Sequence, residues 1–114
     1  RVHMLNLGFC IRITDISALG RVYKLKLNFC IGITDVSALG CVHTLNLRGC
    51  ENVTDVSALS RVHTLNISGC FGITDVSALV GVPELIVDRR YRTWDLDWLQ
   101  RERAKRGMAP AEAV

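Results

Sequence analysis

Cysteine stands at positions 10, 30, 50 and 70, aspartate at 15, 35, 55 and 75, and histidine at 3, 43 and 63, every interval a multiple of 20 residues. These side chains ligate metals and move protons, and the spacing decides whether they can do so together. If each interval returns the chain one strand along a parallel sheet, Cys10, Cys30, Cys50 and Cys70 spread over about 14 Å, whereas tetrahedral zinc gathers its thiolates around one point at about 2.3 Å. With Cys41 the total is five, an odd number, and side chains stacked in one column have poor geometry for a disulfide. The expectation is a structural ladder of reduced, buried thiols bonded to backbone groups under the strand-to-loop turn, which favours a reducing, cytoplasmic setting. A Cys–His nucleophile needs the two groups at hydrogen-bond distance with a third orienting the base, yet His3 and Cys10 fall at opposite ends of one strand. His3, Tyr23, His43 and His63 therefore read as half-exposed rings stacked along the strands' entry edge. The Asp column lies on a line, while calcium needs six to eight oxygens around one point. Each Asp is better used accepting N–H groups of its own Val-Ser-Ala turn. No residue is assigned to catalysis or to a metal, and no cofactor is expected.

The elements that place these columns follow from the repeat. Residues 1–20, 21–40, 41–60 and 61–80 align without a slip, and the columns headed by Val2, Leu5, Cys10, Thr14, Asp15, Ser17, Ala18 and Leu19 are identical in all four. Those headed by Leu7, Ile13 and Ile16 hold only aliphatics. A fifth copy starts at Gly81 and fails after Asp88, where no Cys and no Thr-Asp pair arrives. Leu5 and Leu7 alternate with Asn6, the period of a half-buried strand, as do Leu25/Leu27, Leu45/Leu47, Leu65/Ile67 and Leu85/Val87. One unit is too small to enclose Val2, Leu5, Leu7, Ile13, Ile16 and Leu19, so neighbouring units must bury them for one another. Five parallel strands would make a ladder about 24 Å long. The return path, Asp15 to Leu19, allows one turn of helix capped by Thr14 or Asp15, with Gly20 and Gly40 as the permissive residues that reverse the chain.

The unit V-x-x-L-x-L-x-x-C-x-x-I-T-D-V-S-A-L-G-x resembles the leucine-rich repeat, over residues 1–88 and in four successive copies. Two departures stand out: the aliphatic after Cys10 comes three residues on, at Ile13, and Val replaces Leu at the head of each unit. Cys-x-x-Ile-Thr-Asp is similar to cysteine-containing repeats of ubiquitin-ligase substrate receptors, and Ile-Thr-Asp-Val-Ser-Ala-Leu to repeats of bacterial internalins. The resemblance implies an α/β repeat solenoid: a right-handed horseshoe segment with a parallel β-sheet on one face and short helical turns on the other.

Residues 89–114 differ in composition, holding both tryptophans and seven of the fourteen basic residues. Trp94, Trp98 and Leu99, with Gly107 following, predict a helix over 93–106 that is apolar in its first half and charged in its second. It reads as a C-terminal cap, followed by an end frayed around Pro110. The sequence starts at Arg1 already in repeat phase, so the expectation is fraying or self-association through repeat 1 of this chain alone, with more repeats or a cap upstream in the full-length protein.

A length of 114 residues suits a single domain, and 49% apolar residues with 22% charged exclude a disordered tail. No apolar run is long enough to span a bilayer. The net charge of +3 argues against nucleic acid held by electrostatics, although the arginine-rich tail keeps that reading as an alternative. What varies between repeats is the outward sheet face: Met4, Lys24, Thr44, Thr64 and Glu84; Asn6, Lys26, Asn46, Asn66 and Ile86; Gly8, Asn28, Arg48, Ser68 and Asp88. Lys24, Lys26 and Arg48 form a basic patch beside a rim of Phe9 and Phe29. In the family this face is the usual binding surface, so the resemblance implies a non-catalytic module that binds a partner protein there. A more specific alternative is substrate recognition for a ubiquitin ligase, for which no F-box-like segment is present.

Overall fold

A leucine flanked by two outward residues builds each rung: β1 (Met4–Asn6), β2 (Lys24–Lys26), β3 (Thr44–Asn46), β4 (Thr64–Asn66) and the longer β5 (Glu84–Val87). The computed structural model describes residues 3–89 and 95–114. The strands are parallel in chain order, with Leu5 beside Leu25, Leu45, Leu65 and Leu85 in turn. A register slip of one residue would turn this whole row to solvent. Pairing runs on past the strands, where the N–H groups of Phe9, Phe29 and Gly49 donate to the carbonyls of Asn28, Arg48 and Ser68 at 2.8, 2.7 and 2.9 Å. At the next rung the Asp88 carboxylate takes the N–H of Gly69, so a side chain ends this backbone ladder.

The return path is one 3-10 turn per rung, at Ser17–Leu19, Ser37–Leu39, Ser57–Leu59 and Ser77–Leu79. The cap positions hold Ile16, Val36, Val56 and Val76 and make no side-chain cap bond; these aliphatics are buried. Thr14 and Asp15 are thus not the caps. Asp15 acts one residue earlier, its Oδ1 accepting from the Ser17 N–H at 3.0 Å. Nor does Gly20 or Gly40 supply unusual backbone freedom, since their φ values are −66° and −62°. Glycine instead allows close approach at these two rungs: a Cβ on Gly40 would meet the Ala58 carbonyl oxygen at 2.7 Å, and one on Gly20 would strike that of Ala38, while the next rung accommodates Ser60.

Between sheet and turns lies one core, in which Leu25, Leu27, Cys30, Ile33, Val36 and Leu39 and their counterparts in the next two rungs are buried. Their repeat-1 equivalents Leu5, Leu7, Cys10, Ile13 and Leu19 are only partly buried, because each rung is covered from both sides and repeat 1 has a described neighbour on one side only. Val2 lies outside the described residues.

The chain after β5 departs from expectation twice. Helix α1 spans Leu96–Lys105, with Asp95 Oδ1 accepting from Trp98 N at 3.1 Å; Thr93 and Trp94 lie outside the described residues. Leu99 is fully buried, but so is Arg103 in the charged half, at 1% exposure. Its guanidinium donates to the carbonyls of Val80, Val82, Pro83 and Ala109 at 3.0, 2.6, 3.1 and 2.9 Å; the counterparts of Pro83 O in earlier rungs, the carbonyls of His3, Tyr23, His43 and His63, take an N–H from the next strand. Burial holds its pKa below the usual arginine value. Gly107, at φ 72°, ends the helix: its N–H reaches Ala104 O and that of Met108 reaches Arg103 O, both at 3.0 Å. The second departure is the tail, which is hydrogen-bonded into the fold. Gln100 brackets Ala111 through two bonds of 2.8 and 2.9 Å, and Glu112–Ala113 form β6, a sixth strand parallel to β5. Among the described residues no helix is long and apolar enough to cross a membrane.

Arg103→Met keeps the aliphatic stem and strands those carbonyls. It should cost about 3 kcal/mol or more and deprotect β6 to hydrogen exchange. Arg101→Met, which removes only an exposed 3.9 Å contact to Asp95, should move stability by less than about 0.5 kcal/mol. Equal melting of the two variants would refute the role given to Arg103.

Candidate recognition surface

The three columns with chemical potential serve the scaffold. Cys30, Cys50 and Cys70 are buried and donate across rungs to the carbonyls of Leu7, Leu27 and Leu47 at 3.0, 3.1 and 2.9 Å. Burial raises the thiol pKa at Cys30, to about 11 at Cys50 and to about 12 at Cys70. All five cysteines are free thiols, with Cys10 half-buried and Cys41 exposed. In the aspartate column, Ser37, Ser57 and Ser77 N–H each donate to Asp35, Asp55 and Asp75 at 2.9 Å. These carboxyls and Asp15 are held below the ordinary aspartate pKa. The larger cause is the Ser backbone N–H at Asp15, Asp55 and Asp75, with the Ser hydroxyl second; at Asp35 the order reverses.

His3, Tyr23, His43 and His63 stack along the entry edge with ring centroids 4.9, 4.5 and 4.7 Å apart. Thr64 donates its one hydroxyl proton to Glu84 at 3.0 Å, so His63 Nδ1 must be the donor in its 3.0 Å bond to Thr64 Oγ1. Among the described residues, no group of three or more His, Cys, Asp or Glu could hold a metal ion.

The sheet face is where the repeats diverge. Met4, Lys24, Lys26, Arg48 and Glu84 are exposed, and Asn28, Thr44, Asn46, Thr64 and Asn66 are half-buried. Met4, Lys24, Lys26, Thr44, Asn46, Thr64 and Asn66 line one shallow groove with Ile86. Ser68 is the exception to the expected contact set: it is 3% exposed, with its hydroxyl bonded to Asn66 Oδ1 at 2.6 Å. The Asn column also does more than face outward. Asn6, Asn46 and Asn66 each accept through Oδ1 from the N–H two residues on, at 3.0, 3.0 and 2.9 Å. Repeat 2 has Lys26 there, which has no acceptor to offer; its charge is available to something else. Among the described residues, Lys24, Lys26 and Arg48 form no ion pair.

Beyond the face the chain turns through left-handed backbone at Phe9, Phe29, Gly49 and Gly69, with φ of 66°, 60°, 74° and 74°. Glycine takes this conformation freely, whereas Phe pays roughly 1–2 kcal/mol. The Phe9–Phe29 stack, with centroids 5.1 Å apart, returns roughly 0.5–1.5 kcal/mol. Burial returns little at Phe9, which is 67% exposed, and more at Phe29, which is 36% exposed. Ile11, Ile31 and Phe71 are exposed on the same turns and were not singled out from sequence; their signal is a column of large apolar residues, broken by Glu51, outside the strand's alternation. The guanidinium of Arg48 stands 5.7 Å from the Phe29 ring centroid.

Two measurements check the scaffold columns. Alkylation of the native protein should modify Cys41 first, Cys10 more slowly, and Cys30, Cys50 and Cys70 only on unfolding; titration of the denatured, non-reduced chain should find all five as thiols. For the aspartates, the native state binds protons less readily than the unfolded state. Their stabilisation is therefore complete above the ordinary aspartate value of about 3.9 and lost as pH falls through the depressed native values. Carboxyl titrations followed by NMR should place Asp15, Asp35, Asp55 and Asp75 below an unstructured Asp, and midpoints at or above it would refute the turn bonds.

The chain matches no protein-family model, no curated protein and no solved structure, so its chemistry rests on its own residues.

Proposed function

We propose that this chain is a leucine-rich-repeat-type recognition module, a segment of a right-handed horseshoe that binds a partner protein through its sheet face and performs no catalysis. The observation that carries the reading is a division of labour between columns. Positions identical in all four repeats are buried or lie on the turns, while the outward columns of the sheet, exposed or half-buried except at Ser68, change from repeat to repeat. A scaffold that varies mainly on its outward face can alter its contacts without altering its fold. Parallel rungs with in-register leucines and one 3-10 turn each support the repeat assignment.

The face is also built to meet another molecule. Lys24 and Lys26 project from one strand beside a groove that includes the exposed Met4 and the half-buried Ile86, giving apolar contact area with cations at its border, a composition suited to a protein interface.

Affinity capture from the native cell with wild-type and Lys24→Glu/Lys26→Glu chains tests this. The double variant should lose its partner at least tenfold while melting within about 0.5 kcal/mol of wild type, because both side chains are exposed. Leu25→Ala should instead open a core cavity and cost about 2–5 kcal/mol. Equal capture by the double-Glu chain would place the site elsewhere.

A further inference from the structure

We propose that the partner docks through an extended acidic segment laid along β2 and across to Arg48, with carboxylates on alternate residues meeting Lys24, Lys26 and Arg48. The inference rests on the sheet-face reading and names the chemistry of its occupant.

The cations follow the strand direction at even steps. Lys24 and Lys26 are two residues apart on β2, and Arg48 lies two residues beyond Asn46, the register partner of Lys26 on the neighbouring rung. At about 3.3 Å per residue each step is about 6.6 Å, the spacing of side chains i, i+2 and i+4 on one face of an extended chain. All three are exposed, and among the described residues none forms an ion pair. Both rungs that carry them have a described neighbour on either side. In the next rung the same columns hold Thr64, Asn66 and Ser68, and in the one after that Glu84, Ile86 and Asp88. The charge that attracts an acidic segment is therefore confined to repeats 2 and 3.

Polar groups between the cations favour a polypeptide. In repeats 1, 3 and 4 an asparagine Oδ1 accepts the N–H two residues on. Lys26 leaves the equivalent N–H, that of Asn28, without this acceptor, and nothing else among the described residues takes it. The side-chain amide of Asn28 has no hydrogen-bond partner among them either; its oxygen lies against Gly8, where a Cβ would meet it at 2.7 Å. A half-buried asparagine beside Lys26 and Arg48 thus keeps open a backbone donor, a side-chain donor and a side-chain acceptor. An extended peptide complements all of these, with carboxylates and carbonyls for the donors and a main-chain N–H for the acceptor. A helix has those backbone groups bonded internally, and a phosphodiester backbone offers acceptors only. Single-stranded nucleic acid also stacks its bases on aromatic rings, and the columns that hold the cations contain none.

The test uses the full chain and two fluorescent heptapeptides of one composition, Thr-Glu-Thr-Glu-Thr-Glu-Thr and Thr-Thr-Glu-Glu-Glu-Thr-Thr, with an oligothymidylate of equal charge as a further arm. The alternating peptide should bind at least fivefold more tightly than its isomer, and more tightly than the oligonucleotide at the same salt concentration. Lys26→Asn should weaken it at least fivefold without lowering Tm, because asparagine there supplies the turn bond of the other three repeats. Lys24→Glu/Lys26→Glu/Arg48→Glu should instead select Thr-Lys-Thr-Lys-Thr-Lys-Thr. No binding of the alternating peptide, equal binding of the two isomers, no loss in Lys26→Asn, no reversal in the triple variant, or tighter binding of oligothymidylate would overturn the proposal. In cell capture, a partner lost by Lys24→Glu/Lys26→Glu while the two isomers bind alike would leave the sheet-face reading standing and remove this one; capture unchanged by that double variant would remove both.

Discussion

Every rung of this protein is completed by its neighbours. Twenty residues cannot enclose six aliphatic side chains, and a three-residue strand cannot satisfy its own backbone, so the free energy of folding resides between units rather than within them. That single constraint sets the rest. The leucine row is in register because any other pairing would expose it, and Gly40 approaches the Ala58 carbonyl because the 3-10 turns must stack as closely as the strands. The cysteines are small apolar groups that also donate to a carbonyl one rung away. Each identical column marks a place where two rungs touch or a tight turn closes.

A structure whose stability lies between units has to be told where to stop, and at the C-terminal end the chain does so with polar side chains. Asp88 accepts the N–H of Gly69 that a further carbonyl would have taken. Arg103 spreads one guanidinium over four carbonyls, its several fixed donors reaching among them Pro83 O, whose counterpart in each earlier rung is taken by the next strand. Gln100 then ties down the segment leading into β6. A buried cation is costly in general, and here hydrogen bonds to every nitrogen of the group offset that cost. These contacts turn an open repeat into an edge with its own last strand.

Against so uniform a scaffold, two departures stand out. Lys26 interrupts an asparagine column that elsewhere closes the turn, and Phe9 and Phe29 hold a backbone conformation that glycine holds in the next two repeats. Both substitutions work against folding and both border the same recess.

The period of 20 residues and the alternation of Leu5 with Leu7 were enough to place five parallel strands, the buried cysteine ladder, the stacked rings of His3, Tyr23, His43 and His63, and the outward columns of the sheet, because each follows from repetition and side-chain direction alone. Gly107 likewise marked the end of α1. Single side chains that act across the stack were not legible in this way. That Ser68 is covered, that Arg103 is buried in a charged run, that residues 112–113 pair with β5, and that Gly20 and Gly40 are glycines for want of space rather than for φ all depend on what lies one rung or one helix away. A repeat announces its periodic contacts in sequence because every copy restates them; its ends and its exceptions occur once, and only the folded neighbours decide them.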